Sequence, residues 1–275
     1  MNSEASYDLE AYVKRIGYDG ALEPTRPVLE ALALRHACSI PFENLSVLQG
    51  KGIHLELEAI QQKLVTDRKG GYCFEQNSLA LGVLQQIGFN ARSMAGRVRL
   101  DSTRDVLPAR THLFVCVELE GEEWLFDVGV GGFTLTSPIR LVLDIEQETL
   151  HERRRIVHEE GRYFHQAWTG TTWVDVYEFT GEEMPFIDRE VGNWWTSSSP
   201  KSKFSQRLNC AIALPNGERF GILNDRFTHR RGSEVLNQIT ITSAEHLLEI
   251  LANQFGMEFP AGTRFGTGPQ PWPTD

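Results

Sequence analysis

The sequence lacks the features that would tie a 275-residue chain to a membrane, a metal or a nucleic acid. No stretch reaches the roughly 20 uninterrupted apolar residues that a membrane-spanning helix requires. Its first twenty residues scatter Glu4, Asp8, Glu10, Lys14 and Arg15 and hold no basic segment followed by an apolar one, so no secretory signal is expected. Cysteine is scarce. Cys38, Cys73, Cys116 and Cys210 stand far apart, which excludes the close pairs of zinc and redox motifs and speaks against a disulfide scaffold. The eight histidines show no paired ligand spacing, and no metal site is predicted. A net charge of −10 leaves no broad basic face for a phosphate backbone, so nucleic acid is not an expected partner. That balance does not exclude a small anionic ligand, which a few local donors can hold. A cytoplasmic protein is the default expectation, and association into a homo-oligomer is left open.

Hydrophobic residues at 41% and charged residues at 23% are proportions from which an ordinary globular core can be built. Leu9, Tyr12, Val13 and Ile16 repeat at helical spacing up to Gly17, and Val28, Leu29, Leu32 and His36 do so after Pro24 and Thr25, which predicts two helices. Leu57 to Val65 predicts a third. From Cys73 to Gly88 a further apolar stripe predicts a helix with the cysteine at its start. Beyond Gly88 the period becomes that of strands, at Ala91 to Leu100, Thr111 to Leu119, Trp124 to Val130, Arg140 to Leu143, Arg162 to Thr169 and Thr172 to Phe179, as expected for an antiparallel meander or barrel. The serine-rich stretch 192–205, which also holds a proline, is expected to be a crossing segment. Strands at Leu208 to Leu214, Arg219 to Leu223 and Glu234 to Ile241 follow, then a helix at Ala244 to Phe255 capped by Ser243. A proline- and glycine-rich tail ends the chain.

One cysteine stands where chemistry favours it. Arg68-Lys69-Gly70-Gly71-Tyr72-Cys73 joins a glycine turn to a helix start, where unpaired N–H groups and the helix dipole stabilise a thiolate. The other three cysteines fit core packing, and Cys73 alone reads equally as nucleophile or core. A thiol needs a base, and His112 in Thr111-His112-Leu113 is the candidate, though a lone strand histidine is often only structural. Asp127 places a carboxylate inside the apolar run Trp124 to Val130, where an unpaired charge is costly. A two-residue hairpin at Glu120-Gly121 would set Phe114 opposite Asp127 and put His112 diagonally from it, within reach on one sheet face. A four-residue loop would separate them, and a backbone-bonded Asp127 stays open on spacing alone.

Several segments together resemble the bacterial arylamine N-acetyltransferase family: Arg15-Ile16-Gly17-Tyr18, Ile40-Pro41-Phe42-Glu43-Asn44-Leu45, Gly70 to Asn77, Thr111-His112-Leu113 and Asp127-Val128-Gly129-Val130-Gly131-Gly132. The likeness continues weakly through Phe204 and His229 to Phe255-Gly256. It implies an α+β fold with a cysteine-protease-like catalytic core: a helical bundle over 1–90 carrying Cys73, an antiparallel β-barrel over 91–195 carrying His112 and Asp127, and an α/β lid over 196–275. It also implies ping-pong acetyl transfer from acetyl-coenzyme A, a co-substrate rather than a tightly bound cofactor, to an aromatic amine, hydrazine or N-hydroxyarylamine, as in xenobiotic metabolism. Cys73, His112 and Asp127 carry over as the triad. Gly129, Val130, Gly131, Gly132 and His229 resemble the coenzyme contacts, and Phe42, Val98 and Phe204 resemble the acceptor wall. One departure is Lys69, since the family usually has arginine before the two glycines, and lysine cannot reproduce a bidentate contact.

Other readings of the same residues exist. A Cys-His-Asp hydrolase uses the same activation, and macrolactam-forming amide synthases share the fold but take a carrier-bound acyl chain. A binding domain that keeps the cysteine for packing is the third. Turnover of free acetyl-coenzyme A separates them.

Overall fold

The structure is a computed structural model and describes residues 6–100, 102–266 and 270–272. The tail residues 267–269 and 273–275 lie outside it. Asp8 caps α1 (Leu9–Ile16) through its carboxylate, and Gly17 ends the helix at φ 66°. Pro27 stands in the first turn of α2 (Arg26–Ala37), where no N–H is needed. Short pieces follow: β1 (Phe42–Glu43), α3 (Leu45–Leu48) and α4 (Leu57–Ile60). The expected third helix does not stay α-helical, because α4 passes into a π-helical stretch, Gln61–Thr66. Helix α5 (Cys73–Ile87) then runs to Gly88 at φ 107°.

The main sheet orders β5-β4-β3-β2-β8-β7-β6. Its strands are β2 (Asn90–Val98), β3 (His112–Leu119), β4 (Glu122–Phe126), β5 (Ile139–Arg140), β6 (Arg154–Glu159), β7 (Arg162–Trp168) and β8 (Trp173–Phe179). Curled into a nearly closed antiparallel barrel, it makes β3 a strand buried on both faces. Val115 and Val117 pack with Leu29, Leu64 and Val83 of the helical part. Phe114 and Cys116 point inward among Leu125, Ile156 and Tyr177. Strand β6 is absent from the sequence expectation because it is charged: Arg154 is fully buried there, its guanidinium bonded to Glu152 and to the Phe133 carbonyl.

The serine-rich stretch runs from the end of α6 (Phe186–Ser198) through residues 199–202 into α7 (Lys203–Gln206) and is more helical than its composition suggests. Packing of Gly192 against Phe74 and the Asn193 bond to the Ile53 carbonyl hold α6 in place, so tertiary contacts override composition. The second sheet orders β1-β9-β10-β11-β12, with β9 (Asn209–Ala213), β10 (Glu218–Leu223), β11 (Arg226–Arg231) and β12 (Glu234–Thr240). Helix α8 (Ala244–Phe255), capped by Ser243, covers it through Leu247, Leu251 and Phe255. Phe42 pairs with Ala211, and Asn44 donates to the Phe204 and Arg207 carbonyls. The early segment is thereby stitched to the last sheet.

Candidate active site

The hairpin register decides the geometry. Glu120 and Gly121 both take positive φ, at 56° and 79°, as a two-residue turn of the favoured hand requires. Leu119 faces Glu122 and Val115 faces Phe126, so Asp127 emerges one step beyond the end of β4, level with Phe114. His112, two residues back on β3, reaches it: Nε2 lies 2.8 Å from Asp127 Oδ2, with both side chains essentially inaccessible. Cys73, the first residue of α5, acts on the same ring and favours its charged form, and its Sγ is 3.6 Å from the Thr111 carbonyl. Helix start, strand start and strand exit thus bring a thiol, an imidazole and a carboxylate together.

Asp127 is satisfied without solvent. Its Oδ1 accepts from Asn77 Nδ2 and from the Gly129 N–H, each at 2.9 Å. Burial raises such a carboxyl, but the opposed His112 and these donors outweigh it and hold it below the usual carboxylate range. For His112, burial disfavours the imidazolium, yet Asp127 and the Cys73 sulfur overcome that and raise it to about 10. The Tyr177 ring packs 4.8 Å from the His112 ring. Behind α5, His36 bonds Gln76 at 2.6 Å, and Gln76 in turn donates to the Pro41 carbonyl at 2.8 Å. Burial drives His36 down to about 4 despite that bond, so it serves as a neutral strut.

Cys73 and His112 open onto a cleft of about 700 Å³ that Gly129, Val130, Gly132, Phe42, Val98 and Phe204 also line. The ring of Phe204 stands 6.0 Å from Phe42 and 5.5 Å from Tyr72, which gives the floor an aromatic wall. The 129–132 loop is braced inward: the Gly131 N–H donates to Thr134 Oγ1 at 3.0 Å, and the Gly132 carbonyl accepts from Arg230 at 2.5 Å. Gly131 packs against Phe42. His229 is turned the other way on β11. Its Nε2 pairs with Glu218 at 2.6 Å and its ring meets Phe220 edge-on, while its neighbours Thr228 and Arg230 line the cleft.

Sequence reasoning passed over the cations of this cleft. Lys201, Lys203, Arg207, Arg226 and Arg230 line it, and none of the described lining residues is acidic. They come from the α6–α7 connection, from α7 and the residue that ends it, and from β11, segments without an apolar period to mark them; alternation around His229 is the one signal that could have singled out Arg230. A thiol paired with a buried His-Asp couple, beside an apolar cleft with cationic walls, suits acyl transfer from an anionic donor.

Comparison with known proteins agrees in chemistry and in shape. The family model described as N-acetyltransferase matches residues 26–263. Arylamine N-acetyltransferase of Escherichia coli (strain K12) is 41% identical over 249 residues, covering 90% of this chain and 88% of that protein. The solved arylamine N-acetyltransferase from Salmonella typhimurium superposes with a TM-score of 0.88 at 36% identity over 96% of each chain. The structure of the Mycobacterium marinum arylamine N-acetyltransferase in complex with CoA gives 0.87 at 35% identity, over 91% of this chain and 93% of that one.

Proposed function

The chain belongs to the arylamine N-acetyltransferase family, and from that premise we propose that Cys73, His112 and Asp127 carry acetyl groups from acetyl-coenzyme A to aromatic amines. The enzyme is an acyltransferase with acetyl-coenzyme A as co-substrate. In the first half-reaction the Cys73 sulfur attacks the thioester carbonyl carbon. The bond to the coenzyme sulfur breaks, and His112 gives the leaving thiolate its proton. In the second, the amine nitrogen attacks acetyl-Cys73, His112 takes the nitrogen's proton, and the Cys73 thiolate departs. Asp127 holds the ring and balances the imidazolium. The observation that carries this reading is the buried 2.8 Å pair of His112 and Asp127, with Cys73 acting on the same ring and opening onto the same cleft.

Acceptor rings, including those of arylhydrazines and N-hydroxyarylamines, occupy the wall of Phe42, Val98 and Phe204; the Phe42–Phe204 packing supports this. The coenzyme lies along Gly129, Val130, Gly131 and Gly132 toward His229, which the cleft's continuity from Cys73 to Thr228 and Arg230 supports. We divide the chain into 1–90, 91–195 and 196–275; the barrel's own inner core supports this, while Val115, Val117 and Phe126 pack with the helices and Leu45 and Leu48 pack with the second sheet. A cytoplasmic location fits the four free cysteines.

Intact-mass measurement tests the mechanism. Acetyl-coenzyme A alone should add the mass of one acetyl group, mapped to Cys73, and an arylamine should then remove it. Failure to trap acetyl-Cys73, together with intersecting rather than parallel double-reciprocal plots, would point to direct transfer.

A further inference from the structure

A charged cluster lies directly beneath the start of α5, outside the triad. Lys63, on the π-helical stretch and only 21% exposed, holds its Nζ 2.6 Å from Glu75 Oε1 and 3.3 Å from Glu43 Oε1; both carboxylates are 2% exposed. The remaining carboxylate oxygens serve the backbone. Glu75 Oε2 accepts the Tyr72 N–H at 3.0 Å, and Glu43 Oε2 accepts the Leu45 N–H. Gly70 and Gly71 press on this cluster so closely that a Cβ on either would run into Glu43 or Glu75. The Lys63 carbonyl accepts the Lys69 N–H at 3.0 Å. Side chain and backbone of Lys63 therefore hold both ends of the turn that delivers Cys73.

The cations nearer the glycines do not do this. Lys69 donates to the Glu258 carbonyl and lies 4.1 Å over the Phe259 ring, and Arg68 is exposed. The π-helical stretch is what makes Lys63 available. Its wider turn, closed by Asp67 N–H to the Gln62 carbonyl at 2.7 Å, shifts the residues that follow off α-helical register.

We propose that Lys63 is a positioning residue for acetyl transfer: it gathers Glu43 and Glu75 to fix the start of α5 and offsets their charge beside Cys73. The proposal rests on the reading of Cys73 as the nucleophile. Two buried carboxylates next to a cysteine that must ionise oppose its thiolate, and a paired ammonium relieves that opposition. Other titratable groups facing the cluster are Arg15 of α1, which donates to the Leu64 carbonyl at 3.1 Å, Tyr72, and Cys210 opposite Glu43 in the β1–β9 pair. His112 and Asp127 face Cys73 from the barrel. Burial holds the Glu75 carboxyl above its usual range, with Lys63 pulling it down and Glu43 adding to the rise.

The test is the pH profile of Cys73 alkylation by iodoacetamide, read by peptide mapping on enzyme whose fold is checked by circular dichroism. Lys63→Gln should raise the midpoint by about one unit, which makes alkylation below it about tenfold slower. Lys63→Arg should restore the wild-type profile, and Glu43→Gln, which removes a buried negative charge, should lower the midpoint. If Lys63→Gln does not fold, Glu43→Gln decides. Folded variants with an unmoved profile, or an upward shift in Glu43→Gln, overturn the role of Lys63. Wild-type acetylation is run alongside: its failure would instead remove the nucleophile reading on which the proposal stands.

Discussion

Asp127 has two duties that a single atom change separates. Its Oδ1 gathers Asn77 and the Gly129 N–H, and its Oδ2 receives His112. Asparagine can keep the first set with its carbonyl, but its amide then presents N–H to Nε2. That forces the ring proton onto the nitrogen facing sulfur and removes the base. Asp127→Asn should therefore slow acetylation of Cys73 by about 10⁴-fold while the urea midpoint moves little; near-normal turnover would assign the carboxylate to packing alone. The same pair sets the pH dependence of stability. His112, raised to about 10 in the fold from roughly 6.5 unfolded, contributes stability fully present below about pH 6.5 and lost as pH climbs toward 10. Asp127, held low, contributes above its unfolded value of about 3.9 and loses that contribution as pH falls through its folded value. On the acid side the buried His36 and His151, both driven to about 4 chiefly by burial, stay neutral only in the fold, so stability declines further below about pH 6.5. Urea midpoints across pH should show both arms. In His112→Gln/Asp127→Asn the alkaline arm should flatten, and an unchanged alkaline arm would show that another group titrates there.

Elements, rather than single residues, bring the triad together, and their junctions tolerate little. A Cβ on Gly129 would come within 2.8 Å of the Cys73 Cα and 2.7 Å of Asn77 Nδ2, so Gly129→Ala must push the exit of β4 away from α5. Gly132→Ala meets only Arg230, at 3.9 Å. A displacement near 1 Å at a reacting group costs about a hundredfold, and Gly129→Ala should lose about that in the single-turnover rate while Gly132→Ala stays near wild type. Equal rates would mean that the junction can shift without cost. These junctions mark what the sequence made legible. The stripe from Phe74 to Leu84 and the Gly88 stop gave α5, and the two-residue turn at Glu120-Gly121 placed His112 against Asp127 because strand pairing has a period of two. Strands β6 and β11 carry no apolar alternation because Arg154-Arg155 and Thr228-His229-Arg230-Arg231 are charged or polar; Arg154 is paired by Glu152 just ahead of β6, and His229 and Arg231 by Glu218 of β10. The π-helical stretch and the β1–β9 pairing escaped notice for a related reason: each is fixed by contacts far along the chain, which no local period records. That Phe42, Val98 and Phe204 line a cleft was not legible from their own pattern, since an aromatic in a cleft and one in a core read alike.

At the scale of the whole molecule two fields of opposite sign compete for the coenzyme. The chain carries −10 and so repels the phosphates of acetyl-coenzyme A at a distance. Close to the cleft, Lys201, Arg207, Arg226 and Arg230 oppose that repulsion, and none of the described lining residues is acidic. Arg230 is the most committed of these: it bonds Gly132, lies 3.8 Å from Glu152, and is lowered to about 10 mainly by burial and Arg219. Glu152 also binds Arg154 and Arg219, each at 2.8 Å, so barrel and second sheet share one buried ionic knot behind the loop. Ionic strength shows which field governs capture. Screening acts over about 10 Å at 0.1 M salt; if the cleft dominates, added salt weakens attraction and kcat/KM for acetyl-coenzyme A falls, whereas dominance of the net charge makes it rise. The cleft's cations line the same cavity as Cys73, so kcat/KM should fall with salt. The fall should appear in KM while the rate of deacetylation by a neutral arylamine stays constant. Lys201→Ala/Arg226→Ala, which removes two exposed cations without touching the knot, should flatten the slope. A slope that rises with salt, or one indifferent to that double substitution, would mean that the net charge and not the cleft controls encounter with the coenzyme.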